Sequence, residues 1–121
     1  MALGKVGQIH ISVTDLDRSV EFYRDVLGIP LMFVVPGQPM AFFSSGDVRL
    51  YLGVPESEQF RSKSVLYFHV EDIDAEHERL TALGVSFHDK PHIVHRDDAG
   101  ELWMSAFTDP DGHYLVLMQQ R

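Results

Sequence analysis

A chain of 121 residues, 45% of them hydrophobic, can bury one good core and is too short for two independent domains. Its formal charge of -8 works against nucleic acid and against anionic membrane surfaces, both of which select basic faces, so composition favours small-molecule partners. Cysteine is absent, which excludes disulfides and thiolate chemistry, and no apolar run approaches the roughly 18 residues of a membrane span; with no signal-like run after Met1, the expected location is cytoplasmic.

In chain order, Gln8-Ile9-His10-Ile11-Ser12-Val13 alternates as a strand should. Asp15 reads as a helix N-cap, and Val20, Tyr23 and Leu27 follow at helical spacing until Gly28 ends the helix. Strands are expected near residues 31–35, 39–44 and 48–53, punctuated by Pro36-Gly37-Gln38-Pro39 and Ser44-Ser45-Gly46-Asp47. The polar stretch 54–64 reads as a linker. The plan then repeats: a strand Val65-Leu66-Tyr67-Phe68-His69-Val70, a cap at Asp72, a helix carrying Ile73, Leu80 and Leu83, a stop at Gly84, and a closing turn at Asp109-Pro110-Asp111-Gly112. Two copies of one strand-helix-three-strand unit predict an α+β fold of tandem βαβββ modules, a cupped mixed sheet with the helices on its outer face and a cavity between the modules. Module one covers 6–53 and module two 65–119, within a single domain 1–121.

Alternation assigns the faces. Ile9, Ile11 and Val13 would receive the first helix, leaving Gln8, His10 and Ser12 on the other side; Leu66, Phe68 and Val70 would receive the second, leaving Val65, Tyr67 and His69. Apolar groups mixed with a few polar ones suit the wall of a ligand cavity.

The phrases Val13-Thr14-Asp15-Leu16-Asp17-Arg18-Ser19-Val20-Glu21-Phe22-Tyr23-Arg24-Asp25-Val26-Leu27-Gly28 and Phe107-Thr108-Asp109-Pro110-Asp111-Gly112, set in paired modules, resemble the vicinal oxygen chelate superfamily. That group includes glyoxalase I, extradiol dioxygenases, fosfomycin-resistance transferases and bleomycin-resistance proteins. The resemblance implies a homodimer and a divalent metal held by one residue from each of four strands, which falls here on Gln8, Leu50, Val65 and Val116. Only Gln8 of these offers a lone pair to a metal. The expectation is therefore that no metal and no other cofactor takes part, and that an apolar floor binds a small, partly apolar metabolite or antibiotic as in the bleomycin-resistance branch.

Candidate ligand-binding residues are Gln8, His10, Leu50, Tyr67, Trp103, Tyr114 and Val116, with Trp103 taken to face the cavity or its mouth. Candidate catalytic residues are His10, which would act as a base near neutral pH, and Glu101, should an imidazole lie beside it. His88, His92 and His95 do not suit a zinc site on a regular strand, where the first two share a face and the third does not. The alternative reading is a divalent-metal-dependent lyase, isomerase or dioxygenase of the same superfamily, using Gln8 with His10 or Glu101. No phosphate loop, nucleophile elbow or paired-histidine helix is present.

Overall fold

The computed structural model describes residues 2–121. Its contacts divide the chain into two compact units, one ending at Lys63 and one running Ser64–Arg121. The first contains β1 (Gln8–Ser12), α1 (Leu16–Glu21), β2 (Leu31–Val34), β3 (Met40–Ser45) and β4 (Val48–Gly53). The second contains β5 (Val65–His69), α2 (Ile73–Ala82), β6 (His92–Asp97), β7 (Gly100–Thr108) and β8 (Tyr114–Gln120). Each builds its own four-stranded mixed sheet, ordered β1-β4-β3-β2 and β5-β8-β7-β6, in which the outer strand of the βαβ step lies parallel to the last strand. The fold is α+β, and the two modules share one topology.

Local chemistry sets the element ends. The Asp15 carboxylate accepts from the Arg18 amide at 3.2 Å, and the Asp72 carboxylate from the Ala75 amide at 3.1 Å, each satisfying an amide that the first helical turn leaves unpaired. α1 continues as a π-helical turn, Phe22–Val26, which carries Tyr23 into the core at 0% exposure. Gly28 and Gly84 then leave the helices with φ of 76° and 95°, where a side chain would be strained. Leu83, expected within the second helix, sits at its C-cap and is exposed, because the helix closes there.

Each sheet buries the face that carries its helix. In the first unit Ile11, Val13, Leu50, Leu52, Ala41 and Phe43 pack with Val20 and Tyr23; in the second Leu115, Leu117 and Phe107 pack with Ile73 and Leu80. His77 is half-buried on α2, its ring 4.3 Å from Phe87, which itself lies 5.0 Å from Phe107. His113 is fully enclosed: its Nδ1 accepts from the Ser64 amide, and its own amide donates to the Asp109 carboxylate, which also takes the Asp111 amide. The acidic closing turn is thus structural. No helix among the described residues is long and apolar enough to cross a membrane.

Candidate functional site

The opposite face of the first sheet is where polar and aromatic groups collect. Register, not sequence distance, brings them together. Gln8 pairs with Arg49 across the parallel β1–β4 ladder, and one pleat further His10 pairs with Tyr51, Tyr51 with Phe42, and Phe42 with Phe33. Paired residues point to the same face, so one row crosses all four strands. Its ring centres lie 4.7 Å apart for His10 and Tyr51, 5.0 Å for Tyr51 and Phe42, and 4.9 Å for Phe42 and Phe33. Tyr51 and Phe42 are nearly parallel, at 16°. Such spacing is that of favourable aromatic contact.

Gln8 and Arg49 form the neighbouring row. Arg49 donates from Nε and Nη2 to Gln8 Oε1 at 3.1 and 2.8 Å, and its Cζ lies 4.9 Å from the centre of the Phe42 ring. The guanidinium is therefore held by an amide oxygen and an aromatic face.

The stretch 54–64 turns out to be a wall as well as a linker. A 3-10 turn at Glu58–Phe60 brings Ser62 to Ser12, where the Ser62 amide donates to Ser12 Oγ at 2.7 Å and the Ser12 amide to Ser62 Oγ at 3.2 Å. Ser62 Oγ also donates to the His10 carbonyl at 3.2 Å. These bonds hold Pro55, Glu56, Gln59 and Phe60 beside Gln8, His10 and Tyr51, and together they line a half-open cavity of about 520 Å³ formed wholly by the first unit. That volume suits a small organic ligand. Gln8 also borders a second cavity of about 490 Å³, whose lining adds Arg49, Met32 and Asp47.

The structure redistributes the candidate residues. Gln8 and His10 share the cavity, with His10 Nε2 3.1 Å from Ser12 Oγ. Leu50 does not join them. It pairs with Ile9 and Phe43, is 2% exposed, and packs under α1, so the expected apolar floor is occupied by Arg49 and Tyr51 instead. Tyr67, Tyr114 and Val116 do lie together on the face of the second sheet away from α2, where Tyr67 pairs with Val116 and Val65 with Tyr114; His88 stacks on Tyr114 at 5.1 Å.

Trp103 is on the other side of that sheet. It pairs with Gln119, whose side chain accepts from the first amide of α2, and its indole N–H donates to Glu101 at 3.0 Å while the Arg121 guanidinium covers its ring at 4.3 Å. Glu101 is engaged by that indole and by Arg96 at 2.8 Å, with no imidazole among its partners. The indole N–H first, and then Arg96, hold its carboxyl below the usual glutamate range, which removes the basicity a proton acceptor near neutral pH needs. A bulge between Ile93 and His95 sets His92 and His95 opposite Met104 and Leu102, one strand face, and so overturns the regular alternation read for them. His95 spends its Nε2 on Asp97 at 3.1 Å.

The side chains where the resemblance implies a metal do not fit one. Gln8 Oε1 already accepts two N–H groups from Arg49, and Leu50, Val65 and Val116 have no lone pairs. Among the described residues no three His, Asp or Glu side chains gather as a metal-holding group.

Arg49, Tyr51, Phe42 and Phe33 were not singled out from the sequence. The usable signal was Gly53: a glycine inside a strand marks close approach, and the Tyr51 ring lies 2.7 Å from where its Cβ would stand.

Comparison with known proteins agrees with the fold and the module plan. The chain is 32% identical to the uncharacterized protein YraH of Bacillus subtilis (strain 168), over 93% of this chain and 94% of that one. It is also 32% identical to metallothiol transferase FosB of Staphylococcus epidermidis, over 93% of this chain and 81% of the relative. Among solved structures, TnmS3, an antibiotic binding protein from Streptomyces sp. CB03234, superposes with a TM-score of 0.79 at 26% identity, over 100% of this chain and 99% of that chain. The profile of one family matches residues 5–117, and the chain belongs to it: the Glyoxalase/Bleomycin resistance protein/Dioxygenase superfamily.

Proposed function

We propose that this protein binds a small, partly apolar molecule with a planar portion in the cavity of the first unit, and does so without a divalent metal. The observation that carries this reading is the His10–Tyr51 ring pair, which lines the cavity with Pro55, Gln59 and Phe60 and is backed by Tyr51 stacking on Phe42. Aromatic faces supply contact area for a planar ligand, and Gln8, His10 and Gln59 supply the few polar groups that orient it. The likeness to TnmS3, an antibiotic binding protein, supports binding as the role. In this reading Tyr67, Tyr114 and Val116 form a second contact surface, and the protein acts as a homodimer.

A thermal-shift screen of planar metabolites and antibiotics tests the reading, because a ligand bound only by the folded state raises the melting temperature. A shift that disappears in Tyr51→Ala supports the cavity as the site. Hits whose shift is unchanged in that variant would move the site elsewhere.

The likeness to metallothiol transferase FosB favours a second reading, a metal-dependent transferase or lyase. Mass spectrometry of tag-free protein after incubation with zinc, nickel, manganese and ferrous iron separates the two. The first reading expects no stoichiometric ion; a tightly held ion in each chain would overturn it.

A further inference from the structure

Arg49 is a cation without a counter-charge. Both of its holds, Gln8 Oε1 and the Phe42 ring, are uncharged, and among the described residues it forms no ion pair. Asp47, which lines the second cavity with Arg49, takes Lys5 Nζ at 3.0 Å. The charge thus stands open on the sheet in a chain of net -8.

Gln8 uses two of the five guanidinium N–H groups, which fixes the plane of the fork while the rest of its charge is left to another acceptor. Resting on the cavity reading above, we infer that Arg49, oriented by Gln8, is a carboxylate-binding residue, and that the ligand class is an aromatic carboxylate. Its ring lies against Tyr51 and His10 in the first cavity, and its carboxylate reaches past Gln8, which borders both cavities, to Arg49 in the adjoining one. The two anchor points suit one molecule, because Arg49 and Tyr51 are alternate residues of one strand, roughly 7 Å apart along it. That is about the span from the far ring of a fused two-ring system to its carboxylate.

A planar fork matches the two oxygens of a carboxylate better than it matches a neutral carbonyl. A monoanion suits the site better than a phosphate dianion does, since Arg61 is neutralised by Glu58 and a carboxylate lines each cavity, Glu56 the first and Asp47 the second.

The test is calorimetric titration, at near-neutral pH, of the protein and of its R49Q and Y51A variants with two probes of one shape, 2-naphthoate and uncharged 2-naphthamide. The expected result is that naphthoate binds about tenfold tighter than naphthamide, the scale of one charge-assisted hydrogen bond. R49Q should erase that preference by weakening naphthoate far more than naphthamide, and Y51A should weaken both probes together. Equal binding of the two probes by the unmodified protein overturns the inference and leaves the cavity reading standing. A naphthoate preference that persists in R49Q overturns it too, by placing the anion elsewhere. Binding of neither probe at millimolar concentration overturns it as well, and the cavity reading is then judged by its own screen.

Discussion

The phenol ring of Tyr51 fills the space beside Gly53, with its Cε1, Cζ and Oη each 2.7 Å from where a Cβ would be. Tyr51 is therefore laid flat along β4 by the absence of a side chain two residues later. That posture is what sets its ring nearly parallel to Phe42 and against His10.

Gly53→Ala should accordingly lift Tyr51 off the strand and break the ring row. The clashing atoms are the far end of one side chain that can swing away, so the cost to stability sits at the low end for overpacking, about 1 kcal/mol. Chemical denaturation measures the cost, and titration with a ligand found in the screen measures the loss of affinity. Coupling is the sharper check: in Tyr51→Ala the same glycine substitution should cost little, because the clashing ring is gone. Equal costs in both backgrounds would show that Gly53 matters for some other reason.

The parts of this molecule that depend on near neighbours were legible in the sequence. Asp15 and Asp72 cap, Gly28 and Gly84 stop, and the alternation through Ile9, His10 and Ile11 assigns β1 to its faces. What depends on pairing between distant strands was not. Counting from the turn glycine treats Gly46 and Gly112 as equivalent, yet the first turn is the two residues Gly46-Asp47 and the second is the five residues Asp109–His113. Equal counting therefore lands on the open face at Val116 and on the buried face at Leu50, since a slip of one residue turns a side chain over. Trp103 was misassigned for a related reason: its face follows from the β7–β8 register, which ties it to Gln119 and so to α2. The stretch 54–64 has linker composition and gives no local sign that Ser62 will bond back to Ser12, which lies 50 positions earlier.

Leu50 and Tyr51 are adjacent and should respond in opposite ways. Leu50→Ala removes a core side chain that is 2% exposed, so a loss of about 2–5 kcal/mol in stability is expected, with ligand affinity of the folded fraction kept. Tyr51→Ala should do the reverse, weakening binding more than folding. Denaturant melts and titrations on both variants decide the matter. A Leu50 variant that is stable but fails to bind would return that residue to the cavity.

The Ser12–Ser62 clasp makes a prediction about rates. Ser62→Ala deletes the hydroxyl that accepts from the Ser12 amide and donates to the His10 carbonyl. The wall 55–62 should then open more readily, at a cost of about 1 kcal/mol for the lost bonds. Hydrogen exchange should rise at the amides of Ser12 and Phe60–Ser62 while the β3–β4 ladder stays protected, and a bound ligand should leave faster. Unchanged exchange at Ser12 would mean that packing of Phe60, and not the hydroxyl, holds the wall.

Trp103 should report the titration of Glu101 through the bond between them. The carboxylate accepts from the indole N–H at 3.0 Å and from Arg96 at 2.8 Å, and both partners favour its charged form, the indole first. Its folded-state pKa is therefore depressed. A depressed carboxylate contributes stability that is present above the unfolded pKa and is lost as pH falls through the folded one. Neutral conditions keep the pair intact, and acid below the ordinary glutamate range breaks it. Trp103 is the sole tryptophan, so its fluorescence should stay constant through that ordinary range and change only at lower pH, whereas Glu101→Gln should remove the transition. Because the pair is open to solvent, high salt should move the midpoint upward by screening Arg96 while the indole bond keeps part of the depression. A midpoint at the ordinary glutamate value would show that neither partner holds the carboxylate in solution, and would restore Glu101 as a group able to exchange protons.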